Sequence, residues 1–277
     1  SNPYVVRIAP GVYTETSPVA LKTYVAVEGS GQGVTTITCE CANSSYGASS
    51  ATVSAGNIVA EIRHLTINNT GGNTHNVGVH TNGVVDGSVS MTNVTATATG
   101  GTSTVGVFNS SSSSPSMMNV TATATGDTST VGVFNSSSSP SMMNVTATAT
   151  GGTSTIAVYN SSSSPSMMNV TATATATGTG SIVSYGVVNE ASSSPSMTDV
   201  TATGTGGTDN YGVVNSSSSS PSIRNSSITG STNSIFNTGS TAQVADTMLD
   251  GAVVEGNGLT CTGVYTAAFV ALGIACV

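Results

Sequence analysis

The chain has 277 residues, of which 12 are acidic and 4 basic, for a net charge of -8. So few cations cannot neutralise a phosphate backbone or hold an anionic membrane surface, which excludes nucleic acid as a partner. Ser, Thr and Asn supply 113 residues and Gly another 32, and residues of these types are poor helix formers, which excludes a helical bundle.

The opening residues 1–60 read as irregular coils that begin in strand-like Tyr4, Val5 and Val6, without an amphipathic capping helix. No basic segment followed by an apolar one opens the chain, and no apolar run approaches the length of a membrane span. The expectation is a secreted or cell-surface protein whose signal peptide is not in this chain. Ser- and Thr-rich tracts often form disordered stalks. A mean hydropathy of +0.16 and regularly recurring Val, Ile and Met argue instead for a folded repeat.

That repeat fills residues 61–230. Pro115-Ser116-Met117-Met118-Asn119-Val120 returns at Pro140 and Pro165, then in altered form at Pro195 and Pro221, so the prolines step by 25, 25, 30 and 26 residues. A weaker copy runs from Val89 to Val94, and Arg63-His64-Leu65 lies where one more falls. Each unit reads as two short strands, Ser116 to Thr125 and Thr130 to Asn135, joined by a Gly-rich corner and a serine run at 111–114 and its equivalents, with no room for a helix. A unit of this length that returns one strand spacing further on is a coil of a parallel β-helix. The expected fold is therefore all-β: one single-domain solenoid of about ten coils of roughly 25 residues, right-handed by the general preference for right-handed crossovers.

Drifted copies indicate which residues face inward. Leu65 and Ile67 align with Val94 and Ala96, and Ile228 with Ala122, so Val and Ala face the core. The threonines then face outward: Thr95, Thr97 and Thr99; Thr121, Thr123 and Thr125; Thr146, Thr148 and Thr150; Thr171, Thr173 and Thr175. Gly106, Gly132, Ala157, Gly186 and Gly212 keep one position small. Asn93, Asn119, Asn144, Asn169 and Asn225, with Asp199 in one coil, form a ladder at a bend where a side-chain amide tolerates left-handed backbone. Asn109, Asn135, Asn160, Asn189 and Asn215 form a second column.

Residues 231–277 read as C-terminal coils ending in a cap. Four cysteines suggest an oxidising compartment. Cys261 and Cys276 are expected to form a disulfide that closes the last coil. Cys39 and Cys41, one residue apart, could pair with each other, pair with another chain, or stay reduced.

The segment Val5-Val6-Arg7-Ile8-Ala9-Pro10-Gly11-Val12-Tyr13-Thr14-Glu15, with Val25-Ala26-Val27-Glu28-Gly29-Ser30-Gly31, resembles the first coils of pectin methylesterases and related parallel β-helix proteins. The later units look like bacterial right-handed β-helix repeat proteins, and Cys261-Thr262-Gly263-Val264-Tyr265 with Cys276 resembles the closing segment of some of them. The resemblance implies the fold. It does not carry over the catalytic set of pectin methylesterases, which is two aspartates, an arginine and glutamines on the central coils. Here those coils offer Asp86 and Asp127 singly, no arginine between Arg63 and Arg224, and the chain's only glutamines are Gln32 and Gln243.

A direct search for chemistry agrees. Asp86, Asp127, Glu190, Asp199 and Asp209 occupy different coils, whereas glycoside cleavage needs facing carboxylates. His64, His75 and His80 lack the spacing of a zinc motif and read as a loop cluster. No cofactor is expected. The leading reading is an extracellular structural protein, not an enzyme, whose open edge at Tyr4, Val5 and Val6 docks on the next copy to make a filament or surface fibre. The alternative is a surface protein that uses the Thr-x-Thr array to bind ice or a glycan. A polysaccharide-active enzyme ranks third, since aromatic residues are few and Trp is absent.

Overall fold

A computed structural model describes residues 4–72, 74–83, 89–179, 182–251 and 255–276. The chain winds as a parallel β-solenoid of about eight turns. Two sheets run its length, one of 16 strands and one of 11. A regular turn contributes one long strand to each sheet, as with Ser116–Gly126 and Ser129–Ser136. Each pairs in register with its equivalent in the next turn, Ser141–Gly151 and Ser154–Ser161.

The eight full turns start at Ala60–Asn69 with His75–Asn82 and finish at Ala242–Ala245, Met248–Gly251 and Glu255–Gly256. Repeat length alone predicts about ten. The difference lies at the ends. Before Ala60 the chain breaks into short strands such as Tyr4–Arg7, Gly11–Glu15 and Val19–Ala20, and after a partial turn, Leu259–Thr262 and Tyr265–Thr266, paired in parallel with the last full one, it folds back instead of completing another.

Each long strand of the first sheet bends at a residue with left-handed backbone: Asn93, Asn119, Asn144 and Asn169, with φ between 52° and 54°. The bend divides the strand into two arms, and in the turn after Asp199 it separates two strands, Ser222–Arg224 and Ser227–Gly230, around Asn225. The solenoid is thus three-sided. Beyond the bend, side chains alternate strictly: Val94, Ala96 and Ala98 are buried while Thr95, Thr97 and Thr99 are not. Before the bend, Met91, Met117, Met142, Met167 and Met197 stack inside. This like-on-like stacking makes one continuous core running from Leu21 to Cys276.

The core is narrow where the two sheets approach. A Cβ on Gly106 would lie 2.8 Å from Thr123 N and 2.7 Å from Gly132 O; on Gly186 it would lie 2.6 Å from Thr203 N and 2.5 Å from Gly212 O. Small residues at this column are therefore required by the backbone of the facing sheet and of the next turn in their own sheet. Ala157 fits the same column in one turn.

Two polar columns run along the solenoid, one in the second sheet and one in the turns that follow it. In the first, Asn109 Nδ2 donates to Asn135 Oδ1, and the pattern repeats to Asn160, Asn189 and Asn215 at 2.8–2.9 Å, with all five residues fully buried. In the second, Ser113, Ser138, Ser163, Ser193 and Ser219 are buried within the serine turns, where Ser138 N donates to Ser163 Oγ and Ser163 N to Ser193 Oγ, each at 3.0 Å. Buried polar groups are costly unless paired, and in-register repetition pairs these with their own copies until the column ends at Asn215, whose Nδ2 is buried without a partner.

Both cysteine pairs are disulfide-bonded, Cys39 with Cys41 and Cys261 with Cys276. The first bond decides among the three possibilities left open for Cys39 and Cys41. The second ties a terminal segment across the last turn, where Cys261 N donates to Ile274 O and Leu272 N to Val264 O.

Candidate functional site

The threonine face lies on the outer side of the arm beyond the bend. Thr95, Thr121, Thr146 and Thr171 pair in register, as do Thr97, Thr123, Thr148 and Thr173, and Thr99, Thr125, Thr150 and Thr175. One further row, Thr201, Thr203 and Thr205, extends the grid, and Ser227 and Thr229 follow it. Strand geometry spaces the rows about 4.8 Å apart and alternate residues about 6.8 Å apart. Thr175 Oγ1 lies 3.4 Å from Thr205 Oγ1 and Thr99 Oγ1 donates to Asn69 O. Among the described residues, the other hydroxyls of the grid have no protein partner, so they point to solvent.

Beside this face runs the surface asparagine ladder. Asn119 Nδ2 donates to Asn93 Oδ1, Asn144 Nδ2 to Asn119 Oδ1, and Asn169 Nδ2 to Asn144 Oδ1, at 2.8–2.9 Å. Asn225 Nδ2 donates to Asp199. The ladder is longer than the asparagines imply. His64 and Asp246 also have left-handed backbone, and Asn93 Nδ2 contacts His64 Nδ1 at 3.1 Å. The alignment of Arg63-His64-Leu65 with the repeat carried a signal for His64. Asp246 follows Asn225 by only 21 residues, which hid it.

The histidines do not form the loop cluster expected. His64 sits at the bend, and His75 and His80 lie in the strand His75–Asn82. His75 meets the edge of Tyr46 at 4.4 Å between ring centres. His80 begins an outer aromatic column, stacked on Phe108, then Phe134 and Tyr159, at 4.7–5.1 Å. Tyr46, from a non-repeating segment, covers part of this column, and no periodicity could have placed it. His80 Nε2 is 3.0 Å from Ser110 Oγ, and its buried Nδ1 has no partner. Burial pushes the His80 pKa down to about 4. The stacked rings cover one another's faces and turn their edges outward, so this column does not offer the open ring faces on which a sugar stacks.

The acids of the central coils stay apart. Glu190 accepts from the Tyr159 hydroxyl, Asp199 belongs to the surface ladder, Asp127 follows the corner at Gly126, and Asp209 begins a strand of the second sheet. Asp86 lies outside the described residues. Among the described residues no three of His, Cys, Asp and Glu are grouped so as to hold a metal ion.

At the N-terminal end, Tyr4–Arg7 pairs with Val25–Glu28 and Gly11–Glu15 with Thr35–Cys39. Tyr4, Val5, Val6 and Val12 are exposed. They flank an apolar cavity of about 630 Å³ lined by residues including Val6, Ile8, Val19, Leu21 and Val27. The chain's charges collect nearby. Arg63 bonds Glu61 at 2.9 Å and Glu28 at 3.1 Å, and Arg7 lies 3.6 Å from Glu28. The Arg63 guanidinium holds the Glu28 carboxyl below its usual range. At the other end Phe269, Val270 and Ile274 are exposed.

By sequence the chain matches no known protein family and no curated protein. By structure it is similar to pectate lyase Pel9A, with a TM-score of 0.63 at 11% identity over 95% of this chain and 72% of that one. It is also similar to the A-module of the Azotobacter vinelandii mannuronan C-5 epimerase AlgE4, with a TM-score of 0.52 at 16% identity over 98% and 71%. At such identities the likeness establishes the fold, that of right-handed parallel β-helix proteins.

Proposed function

We propose that the protein is an extracellular structural rod, not an enzyme, whose copies associate end to end. The observation that carries this reading is where its apolar surface lies. Among the described residues, every exposed large hydrophobic side chain except Val59 and Met168 falls within residues 4–34 or 269–274, near the two ends of the solenoid. Exposed apolar patches of this kind mark interaction sites. A contact between unlike ends does not close on itself, so it propagates into a filament. The disulfide-bonded cysteines suit an oxidising compartment. The structural neighbours act on pectate and mannuronan by name, but the acids of this chain's central coils, Asp127, Glu190, Asp199 and Asp209, occupy separate columns, and fold alone does not transfer activity. Electron microscopy of natively purified protein tests the proposal. Filaments with a subunit repeat near the length of the rod support it, and dispersed single rods at high concentration overturn it.

A second reading rests on the threonine face, whose solvent-facing hydroxyls stand in register over five successive turns. Such a lattice suits an ordered surface, either ice or a crystalline glycan. Thr123→Tyr with Thr148→Tyr breaks its flatness. Ice-recrystallisation inhibition or glycan binding that survives both substitutions rules the face out.

A further inference from the structure

The outer side of the other arm carries a column of methionines that lies outside the core. Met118 pairs in register with Met143, and Met143 with Met168. The preceding residues Met117, Met142 and Met167 fill the core at 1% exposure each, whereas Met168 is 47% exposed and its two outer neighbours are half-buried. The inner column continues past these turns to Met91 and Met197, while the outer one stops at Thr92 on one side and Thr198 on the other. Three methionines thus stand in register on the outer side of successive turns.

We propose that this outer ladder binds a soft monovalent d10 cation, Cu(I) or its analogue Ag(I), between neighbouring sulfurs. Thioether sulfur selects such ions over harder ones. The spacing fits: neighbouring strands about 4.8 Å apart bring the side chains of equivalent residues within reach of one shared ion. Unbranched methionine side chains, with three rotatable bonds each, can make the small adjustment. Neither pair of cysteines offers a competing thiolate, because both are disulfide-bonded. The side-chain oxygens of Asn119 and Asn144, next to Met118 and Met143, are engaged in their own ladder, and a soft ion prefers sulfur to the hard oxygen of the amide that follows Met168.

The test is a titration of the full chain with Ag(I), read by NMR from isotopically labelled methionine methyl groups. Saturable binding of one ion per chain is expected, with the resonances of Met118, Met143 and Met168 shifting while those of Met117, Met142 and Met167 hold. A thioether carries no titrating proton, so affinity is expected to change little between about pH 8 and about pH 5, a range across which a histidine ligand is lost. Met143→Leu, which removes the central sulfur and keeps the volume, is expected to weaken binding on the order of tenfold or more, and Met142→Leu to leave it unchanged. Absence of binding, shifts unrelated to the outer methionines, loss of binding at the lower pH, or equal affinity in Met143→Leu each overturns the proposal.

Discussion

The two asparagine ladders use one side chain for different physical ends. Asn144, on the surface, supplies left-handed backbone and two exposed amide bonds. Glycine adopts that backbone without strain, so Asn144→Gly is expected to cost about 1 kcal/mol. Asn160 is fully buried and joins Asn135 to Asn189. Asn160→Ala strands a buried donor on one neighbour and a buried acceptor on the other, and is expected to cost about 3 kcal/mol. Chemical denaturation of both variants checks the contrast, and equal costs would deny that the buried ladder is held by its amides. His80 gives a pH dependence. Its pKa is about 4 in the fold, below the ordinary value of 6.5, so the unfolded chain binds the proton more tightly. The corresponding stability is fully present above the ordinary value and is lost as pH falls through the window down to about 4. Between pH 7 and pH 5, above the range where Glu28 titrates, the loss is about 2 kcal/mol. His80→Phe continues the Phe108 and Phe134 stack and is expected to abolish that slope, as denaturation midpoints at the two pH values will report.

Strands and columns, rather than single residues, explain which parts of the architecture were legible in the sequence. The inward set was readable because drifted copies replace Val94 and Ala96 with Leu65 and Ile67, which only a core position tolerates. The threonine face followed by alternation. Met117 and Met118 could not be told apart in the same way, because they are adjacent and chemically identical, and only the strand's orientation sends one inward and the other to solvent. The aromatic column was legible only in part: Phe108, Phe134 and Tyr159 recur at one position of the repeat, whereas His80 holds that same position as a different residue type and Tyr46 comes from a segment outside the repeat. Proximity in the solenoid comes from the stacking of turns, and the sequence reports that stacking only where the period is kept. The glycine column makes a demand at this scale. At Gly186 a methyl would press on backbone atoms of two neighbouring strands, Thr203 N and Gly212 O, which cannot swing aside as a side chain can. Gly186→Ala is expected to destabilise the fold by about 1–3 kcal/mol, measurable as a lowered thermal midpoint, even though Ala157 occupies the equivalent place where its own turn has adjusted.

For the whole molecule, a solenoid built from local stacking has little to stop it from continuing, since each turn presents to the next the same ladder of backbone groups, apolar columns and amides that it received. The cap after Thr266 occupies one end, yet it turns Phe269, Val270 and Ile274 outward. At the other end the exposed strand Tyr4–Arg7 lies beside an apolar cavity. Val5 stands in the middle of that strand and is 46% exposed, so a charge there has little effect within a single rod but must be desolvated in any contact made through that end. Val5→Asp is therefore expected to leave the circular dichroism and denaturation midpoint of the rod unchanged while abolishing filaments. Light scattering across a concentration series separates the outcomes. Wild-type mass that rises with concentration beside a variant that stays at one chain identifies the N-terminal turn as the docking surface. A variant that still assembles moves the contact away from Val5 and leaves the apolar ends without their proposed role.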